Sequence, residues 1–154
     1  MSPSARARLV IGIGNSLRGD DAAGLACIGA LRGRLARDIE LIESDGEPAG
    51  LLARLARAAE AHLIDASVSA APPGTVRCFD ALTQRLPRLA GAASTHGLGL
   101  SETLELARAL GALPARCLVY AIEGASYAPG APLSDPVRAA IARVARQIAR
   151  ACAS

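Results

Sequence analysis

The chain has 154 residues, of which 51% are hydrophobic and 20% charged, a composition typical of one globular domain spanning residues 1–154. Its only aromatic side chains are Phe79, Tyr120 and Tyr127, which disfavours a base-stacking platform for RNA or single-stranded DNA. All 17 basic residues are arginines spread over several segments, and the net charge is only +3. We interpret them as solvated helix faces and expect no nucleic-acid partner.

The sequence gives little support for a signal peptide, a membrane span or a disulfide pattern. No segment approaches the roughly 20 consecutive apolar residues that span a bilayer. The N-terminal MSPSARARLVIGIG resembles a signal peptide superficially, but its apolar run stops at Gly14-Asn15 and charged residues follow. The four cysteines stand apart without a C-x-x-C pair, which favours buried or half-buried free thiols over disulfides or zinc. We expect a cytoplasmic protein without a membrane partner.

The first half of the chain alternates between strand and helix patterns. A compact apolar run that ends in glycine predicts a buried strand over 7–15, and apolar residues at helical spacing predict a helix over 20–35. A second short strand is predicted over 39–46. Pro48 then opens a helix predicted over 48–61, because proline is tolerated in the first turn of a helix.

The second half continues this alternation after a proline-rich turn. The predicted elements are a strand over 61–70, a short strand or hairpin arm over 75–80, an irregular segment over 81–100, a helix over 101–113, a strand over 115–124 and a helix over 133–152. Strands that alternate with helices indicate a mostly parallel sheet covered on both faces. We therefore predict a single three-layer α/β/α domain with a central sheet flanked by helices.

Residues 12–24 read GIGNSLRGDDAAG, a glycine-rich loop after the first strand. The dinucleotide fingerprint G-x-G-x-x-G would need a third glycine where this chain has Leu17. The P-loop motif G-x-x-x-x-G-K-[ST] fits two glycines, but Asp20 and Asp21 replace the lysine and the hydroxyl residue. The chain contains no lysine at all. The two negative charges and the absence of lysine therefore disfavour the binding of a nucleotide phosphate.

Polar residues follow several predicted strands, where ligands bind in open α/β sheets. They are Asn15, Asp20, Asp21, Asp65, His96 and Glu123. Among them, Asp21, Asp65 and His96 form a carboxylate–carboxylate–imidazole set. Mixed oxygen and nitrogen donors suit a divalent transition metal that keeps open positions for a substrate. This set is the candidate metal and catalytic site.

Each of these residues also has a purely structural interpretation. Aspartate is a preferred N-cap, and we expect one of Asp20 and Asp21 to cap the following helix. Asp65 could form a turn at a strand end, and His96 could be a surface residue. His62, at the other end of the third strand, is interpreted as structural.

Several motifs in register resemble the hydrogenase maturation proteases, also called hydrogenase-processing endopeptidases. They are VIGIGNSLRGDDAAG, DGEPAGLLARL, LIDAS, PPGTVRCFD, STHGLGLSETLELARALG, LVYAIEG and PLSDPVRAAI, and they cover nearly the whole chain. The resemblance implies a metal-dependent endopeptidase that removes a C-terminal extension from the large-subunit precursor of a nickel–iron hydrogenase after nickel insertion. It also implies that Asp21, Asp65 and His96 contact the metal.

The resemblance further implies that the nickel is carried by the precursor's cysteines, with no resident metal in the protein. We expect a monomer. Two positions depart from the common family pattern. Position 21 is aspartate where glutamate is frequent, which affects the coordination distance. Gly124 replaces a common proline, which predicts a looser loop after Glu123 and puts a substrate contact by Glu123 in question.

The sequence leaves other functions open. A non-catalytic nickel checkpoint or chaperone for the large subunit would need the same metal-contacting residues as the protease. A nucleotide-binding α/β module is weakened by Leu17, Asp20 and the absence of lysine. An α/β domain whose acidic residues only cap and turn is the remaining interpretation. No H-E-x-x-H or G-x-S-x-G motif is present, so zincin and serine-hydrolase chemistry have no positive support.

Overall fold

A computed structural model describes residues 6–87, 89 and 99–153. These residues form five strands, four α-helices and one short 3-10 helix. In chain order they are β1 (Ala7–Ile13), the 3-10 helix (Gly19–Ala22), α1 (Ala23–Leu31), β2 (Ile39–Ser44), α2 (Pro48–Arg57), β3 (Ala58–Ser67), β4 (Val76–Asp80), α3 (Leu100–Ala109), β5 (Arg116–Glu123) and α4 (Asp135–Ala153).

The strands form one sheet in the order β2-β1-β3-β5-β4. β1 pairs in parallel with β2 and β3, β3 pairs in parallel with β5, and only β4 runs antiparallel to its neighbour. The prediction of a mostly parallel sheet is confirmed. The carboxyl ends of the four parallel strands therefore lie at one edge of the sheet, which we call the carboxyl edge.

Alternate residues of each strand point to opposite faces of the sheet, and each face has its own core. Leu9, Ile11 and Ile13 of β1 belong to the core beneath α2 and α3, whereas Val10 belongs to the core beneath α1 and α4. α2 packs against α3, and α1 packs against α4. This arrangement confirms the three-layer α/β/α architecture.

Two glycines allow α1 to lie directly against the sheet. A Cβ atom at Gly12 of β1 would collide with the carbonyl oxygen of Gly24, and one at Gly24 would collide with the carbonyl oxygens of Ile13 and Ile64. Only hydrogen fits at these positions without displacing backbone. The close approach holds the start of α1 against the carboxyl ends of β1 and β3, so it also positions the preceding loop.

The boundary between α2 and β3 differs from the sequence prediction. The helix was expected to run over 48–61, but it ends at Arg57 and the strand begins at Ala58. The alanine-rich sequence favours a helix locally. Pairing with β1 overrides this preference, because Glu60 and Ala61 lie opposite Arg8 and Leu9 in the sheet. The ladder hydrogen bonds of β1 require an extended partner at this level.

All four cysteines lie within the described residues and are free thiols, as expected. Cys27, Cys117 and Cys152 are buried, but Cys78 is exposed, because it lies on the edge strand β4. Within the described ranges, no helix is both long and apolar enough to cross a membrane.

Candidate functional site at the carboxyl edge

The glycine-rich loop after β1 is a tight turn that Asn15 closes. The Asn15 side-chain oxygen accepts a hydrogen bond from the Leu17 N–H at 2.9 Å, and the Asn15 N–H donates to the Asp21 carbonyl at 3.2 Å. Gly19 adopts a left-handed conformation with φ of +56°, which favours glycine. The turn therefore leads directly into the 3-10 helix and presents Asp20 and Asp21 at the carboxyl edge.

Asp20 is fully buried and binds a distant part of the chain. Its Oδ2 accepts from the N–H groups of Ala125 at 2.7 Å and Ser126 at 3.2 Å, and from the Ser134 hydroxyl at 2.9 Å. Its Oδ1 accepts from the Ser134 N–H at 2.8 Å. Burial acts to raise the pKa of Asp20, but these hydrogen bonds outweigh it and hold the pKa below its usual range. Asp20 therefore joins the loops after β1 and β5.

The expected helix cap is absent from the described structure. The 3-10 helix and α1 begin without a side-chain hydrogen bond from either aspartate. The prediction that one of the pair caps this helix is wrong, because Asp20 turns away from its own helix to the loop over 124–134. That loop lies far along the chain, so a local capping rule could not identify it.

Asp21 lies beside Asp20 but has a different environment. It is only partly buried. Burial raises the pKa of its carboxyl group above the usual range, and the Arg18 charge and a hydrogen bond from the Asn15 backbone offset this only in part. A carboxyl group with a raised pKa at a ligand-binding edge is a candidate for contact with a cation or for proton transfer.

Asp65 is fully buried at the carboxyl end of β3. Its Oδ1 accepts a hydrogen bond from the Ala66 N–H at 2.8 Å. The 3-10 helix that carries Asp21 packs against β3, so the fold brings Asp21 and Asp65 to the same part of the carboxyl edge. Carboxylate oxygens are donors that suit a divalent cation, and metal contact by Asp21 and Asp65 stays a prediction.

His96 lies outside the described residues, so its position stays a prediction. The nearest described residues in sequence are Leu89 and Gly99. Leu89 forms an antiparallel bridge with Ser67, two residues after Asp65, and Gly99 directly precedes α3.

Glu123 organises a second set of hydrogen bonds at this edge. Its buried carboxylate accepts from the Ser67 hydroxyl at 3.0 Å and from the Ser69 hydroxyl at 2.6 Å and N–H at 3.1 Å. The Tyr127 hydroxyl donates to the Ser67 carbonyl at 2.7 Å. These contacts join the loops after β3 and β5. The sequence analysis missed Ser67, Ser69 and Tyr127, although the serines of DASVS directly follow Asp65 in sequence.

Gly124 packs tightly, contrary to the expectation of a looser loop. Its N–H donates to the Ser67 carbonyl at 3.4 Å, and a Cβ at this position would collide with the Tyr127 hydroxyl. The Tyr127 ring thus occupies the space beside residue 124. Burial raises the pKa of Tyr127, so its hydroxyl stays protonated and can donate to Ser67.

A second cluster of polar side chains lies at the opposite end of β3. Ligand atoms of Glu60, His62 and Cys152 lie within 4.8 Å of one another. The His62 ring already bonds the Tyr120 hydroxyl at 3.0 Å and Glu60 at 2.6 Å. The guanidinium groups of Arg8 and Arg116 lie 3.6 and 3.5 Å from Glu60. Two adjacent positive charges disfavour a cation here. We therefore assign His62 a structural role, as predicted.

Comparisons with known proteins agree with this architecture. The family model described as "HycI: Hydrogenase maturation protease" matches residues 27–151, a range that includes Asp65 and His96 and begins after Asp21. Hydrogenase expression/formation protein HupD of Thiocapsa roseopersicina is 30% identical over 119 residues, which cover 75% of this chain and 53% of that protein. The hydrogenase expression/formation protein HupM of Azotobacter chroococcum mcd 1 is 30% identical over 144 residues, covering 90% and 68%.

The chain therefore spans about half the length of HupD and about two thirds of HupM. In structure it is similar to the hydrogenase maturating endopeptidase HybD of E. coli, with a TM-score of 0.71 and 27% sequence identity. That match covers 92% of this chain and 89% of that chain. The α/β fold is thus shared over nearly the whole chain.

Proposed function

Because the chain belongs to the hydrogenase maturation protease family, we propose that it is an endopeptidase that removes the C-terminal extension of a nickel–iron hydrogenase large-subunit precursor. The observation that carries the proposal is the buried Asp65 carboxyl group at the end of β3, the strand against which the 3-10 helix with Asp21 packs. The reaction is hydrolysis of one peptide bond, in which water adds to the carbonyl carbon and the amine leaves.

In this proposal the nickel is part of the substrate. Asp21, Asp65 and His96 contact the nickel that the precursor already holds, and this contact places the scissile bond at the carboxyl edge. The carboxylate oxygens supply hard, anionic donors for a divalent cation. The same recognition would restrict cleavage to precursors loaded with nickel.

The environment of the thiols and of the described histidine supports this assignment over a cysteine-nucleophile mechanism. Burial raises the pKa of Cys27 and of Cys117 to about 12, so neither forms a thiolate readily. His62 lies at the far end of β3, and its ring nitrogens bond Glu60 and Tyr120. His62 is therefore not placed to activate a nucleophile at the carboxyl edge.

The decisive experiment mixes the protein with a large-subunit precursor, with and without nickel, and measures the intact mass of the precursor. We expect loss of the C-terminal extension only from the nickel-loaded precursor. Asp65→Asn is expected to abolish cleavage, because it removes a site carboxylate with little change in volume. Asp38→Asn is the matched control, since Asp38 is exposed and its ion pair with Arg8 contributes little.

Two outcomes would contradict the proposal. An unchanged precursor mass with a competent nickel-loaded precursor would exclude cleavage, and stable co-purification of the uncut precursor would instead indicate a checkpoint or chaperone. Normal cleavage by Asp65→Asn would refute the site assignment. We further propose that the protein acts as a monomer in the cytoplasm, which sedimentation of the purified protein and cell fractionation would check.

A further inference from the structure

β4 is an edge strand whose outer main-chain groups face away from the sheet. In its antiparallel ladder with β5, the Glu123 N–H donates to the Thr75 carbonyl and the Ala81 N–H donates to the Cys117 carbonyl. Hydrogen-bonded pairs alternate along such a ladder. Arg77 and Phe79 therefore bond β5, whereas the N–H and C=O groups of Val76 and Cys78 point outward. No strand among the described residues pairs with this side of β4.

At the C-terminal end of β4, the outward main-chain groups already have hydrogen-bond partners within the protein. The Asp80 N–H donates to the Gln84 side chain at 2.6 Å, and the Asp80 carbonyl accepts from the N–H groups of Thr83 and Gln84. The N-terminal end of β4 lies beside the carboxyl edge, because the preceding Gly74 and Thr75 form main-chain hydrogen bonds with Glu123. The outward groups of Val76 and Cys78 thus form a short open stretch that begins next to the candidate site.

A groove of about 570 Å³ runs beside this stretch, between the start of β4 and α4. Thr75 and Val76 form one wall, and Ala139, Arg143 and Gln147 form the other. Arg143 is the only charged residue that lines the groove among the described residues. Its guanidinium donates one hydrogen bond to the Gly74 carbonyl at 2.6 Å, and the group carries five N–H donors in total.

The sheet register gives the separation between the site and the outer side of β4. Asp65 lies opposite Ala121 of β5, which in turn lies opposite Arg77 of β4. Strands lie about 4.8 Å apart, so a further strand on β4 would lie about 14 Å from Asp65. An extended chain rises about 3.3 Å per residue. A peptide bound at Asp65 would therefore reach this position with about four residues.

We propose that the C-terminal extension of the hydrogenase precursor docks as an added strand on β4, bonding the outward groups of Val76 and Cys78. The inference rests on the proposed function. An extended peptide suits alternating main-chain donors and acceptors beside a groove. The single cationic side chain among the described groove residues complements the α-carboxylate with which a C-terminal extension ends, and the span of about four residues joins this surface to the scissile bond.

The test compares Cys78→Pro with Cys78→Ala in the processing assay. Proline removes the outward N–H and places its ring at the docking surface, but it leaves the β4–β5 ladder intact because that N–H does not bond β5. Cys78→Ala keeps the N–H and is the matched control. We expect kcat/KM to fall at least tenfold for Cys78→Pro, chiefly through KM, and to stay within twofold of wild type for Cys78→Ala.

Residue-resolved hydrogen exchange of the wild-type protein gives a readout that does not depend on the proline variant. With an excess of a synthetic peptide that carries the sequence of the C-terminal extension, we expect the Val76 and Cys78 amides to exchange at least tenfold more slowly. The Arg77 and Phe79 amides, already bonded to β5, are the internal reference and should change little. Protection that appears without the peptide as the protein concentration rises would assign the edge to a second copy of the chain and overturn the proposal.

The two proposals fail in different ways. If wild-type protein does not cleave the precursor, the proposed function is wrong. If wild-type protein cleaves and Cys78→Pro cleaves equally well, or if the Val76 and Cys78 amides gain no protection with the peptide, the docking proposal is wrong while the protease assignment stands.

Discussion

Replacing Asp20 by alanine should destabilise the protein strongly although Asp20 is not one of the proposed substrate-binding groups. The carboxylate accepts from three main-chain N–H groups and one hydroxyl, on Ala125, Ser126 and Ser134. A hydrogen bond to a charged group contributes about 1.5–3 kcal/mol, and a buried donor left without a partner costs about 1–3 kcal/mol. Because loops relax, the losses do not add fully, and we expect about 4 kcal/mol.

The Asp20→Asn variant removes the charge of the side chain but keeps its size and shape. The amide retains one oxygen acceptor, but its NH₂ group faces N–H donors, so we expect an intermediate loss of about 2 kcal/mol. Urea unfolding at constant pH measures both variants. For a chain of this length, 1 kcal/mol corresponds to about 2–4 °C in Tm, so Asp20→Ala should melt about 10 °C lower. Asp38→Asn, at an exposed carboxylate whose ion pair with Arg8 contributes little, should unfold like wild type.

The dependence on pH provides a second check of the same reasoning. The folded pKa of Asp20 is lower than its unfolded value, so its contribution to stability is present above the unfolded pKa and is lost as the pH falls through the folded pKa. The difference between wild type and Asp20→Asn should be constant from about pH 5 to pH 7 and shrink below about pH 4. A loss under about 1 kcal/mol for Asp20→Ala, or a difference that grows in acid, would refute this account.

Three further predictions concern neighbouring residues. Asp21→Asn should increase the free energy of unfolding at neutral pH, because burial penalises the Asp21 charge, and urea unfolding measures this effect. The same variant should abolish precursor cleavage in the processing assay. Gly124→Ala should destabilise by about 1–3 kcal/mol through overpacking against Tyr127, and should cost less in a Tyr127→Ala background, as a double-mutant cycle would show. In the native protein the exposed thiol of Cys78 should react first with a thiol reagent, but slowly, because burial and the Asp80 charge raise its pKa. The three buried thiols should react only on unfolding, and mass spectrometry would count the modified cysteines.

Most of the fold could be predicted from sequence because its signals are local. Buried runs such as LVIGI and HLI, followed by glycine or aspartate, marked the parallel strands, and alternation with helices indicated the layers. The boundary at residues 58–61 was missed because alanine favours a helix unless pairing with a neighbouring strand overrides this preference. The neighbouring strand is β1, about fifty residues earlier in the chain, and no local sequence pattern predicts this pairing.

The placement of acidic residues after the parallel strands was predictable, but the different environments of Asp20 and Asp21 were not. Asp20 and Asp21 are adjacent and chemically identical, so no sequence pattern distinguishes their environments. The distinction arises because Ala125, Ser126 and Ser134 meet one carboxylate and not the other. This depends on how the loop after β5 returns across the sheet, a contact separated by over a hundred residues in sequence.

The carboxyl edge divides its acidic residues into two kinds. Asp20 and Glu123 are saturated by donors from neighbouring loops, and Tyr127 links the loops after β3 and β5 through the Ser67 carbonyl. These contacts join the loops to one another at the carboxyl edge. Asp21, whose charge is penalised by burial, lies on the 3-10 helix beside this network of hydrogen bonds. When a substrate binds to such an edge, little conformational entropy of the protein's loops is lost. More of the binding energy is then available to position the reacting bond.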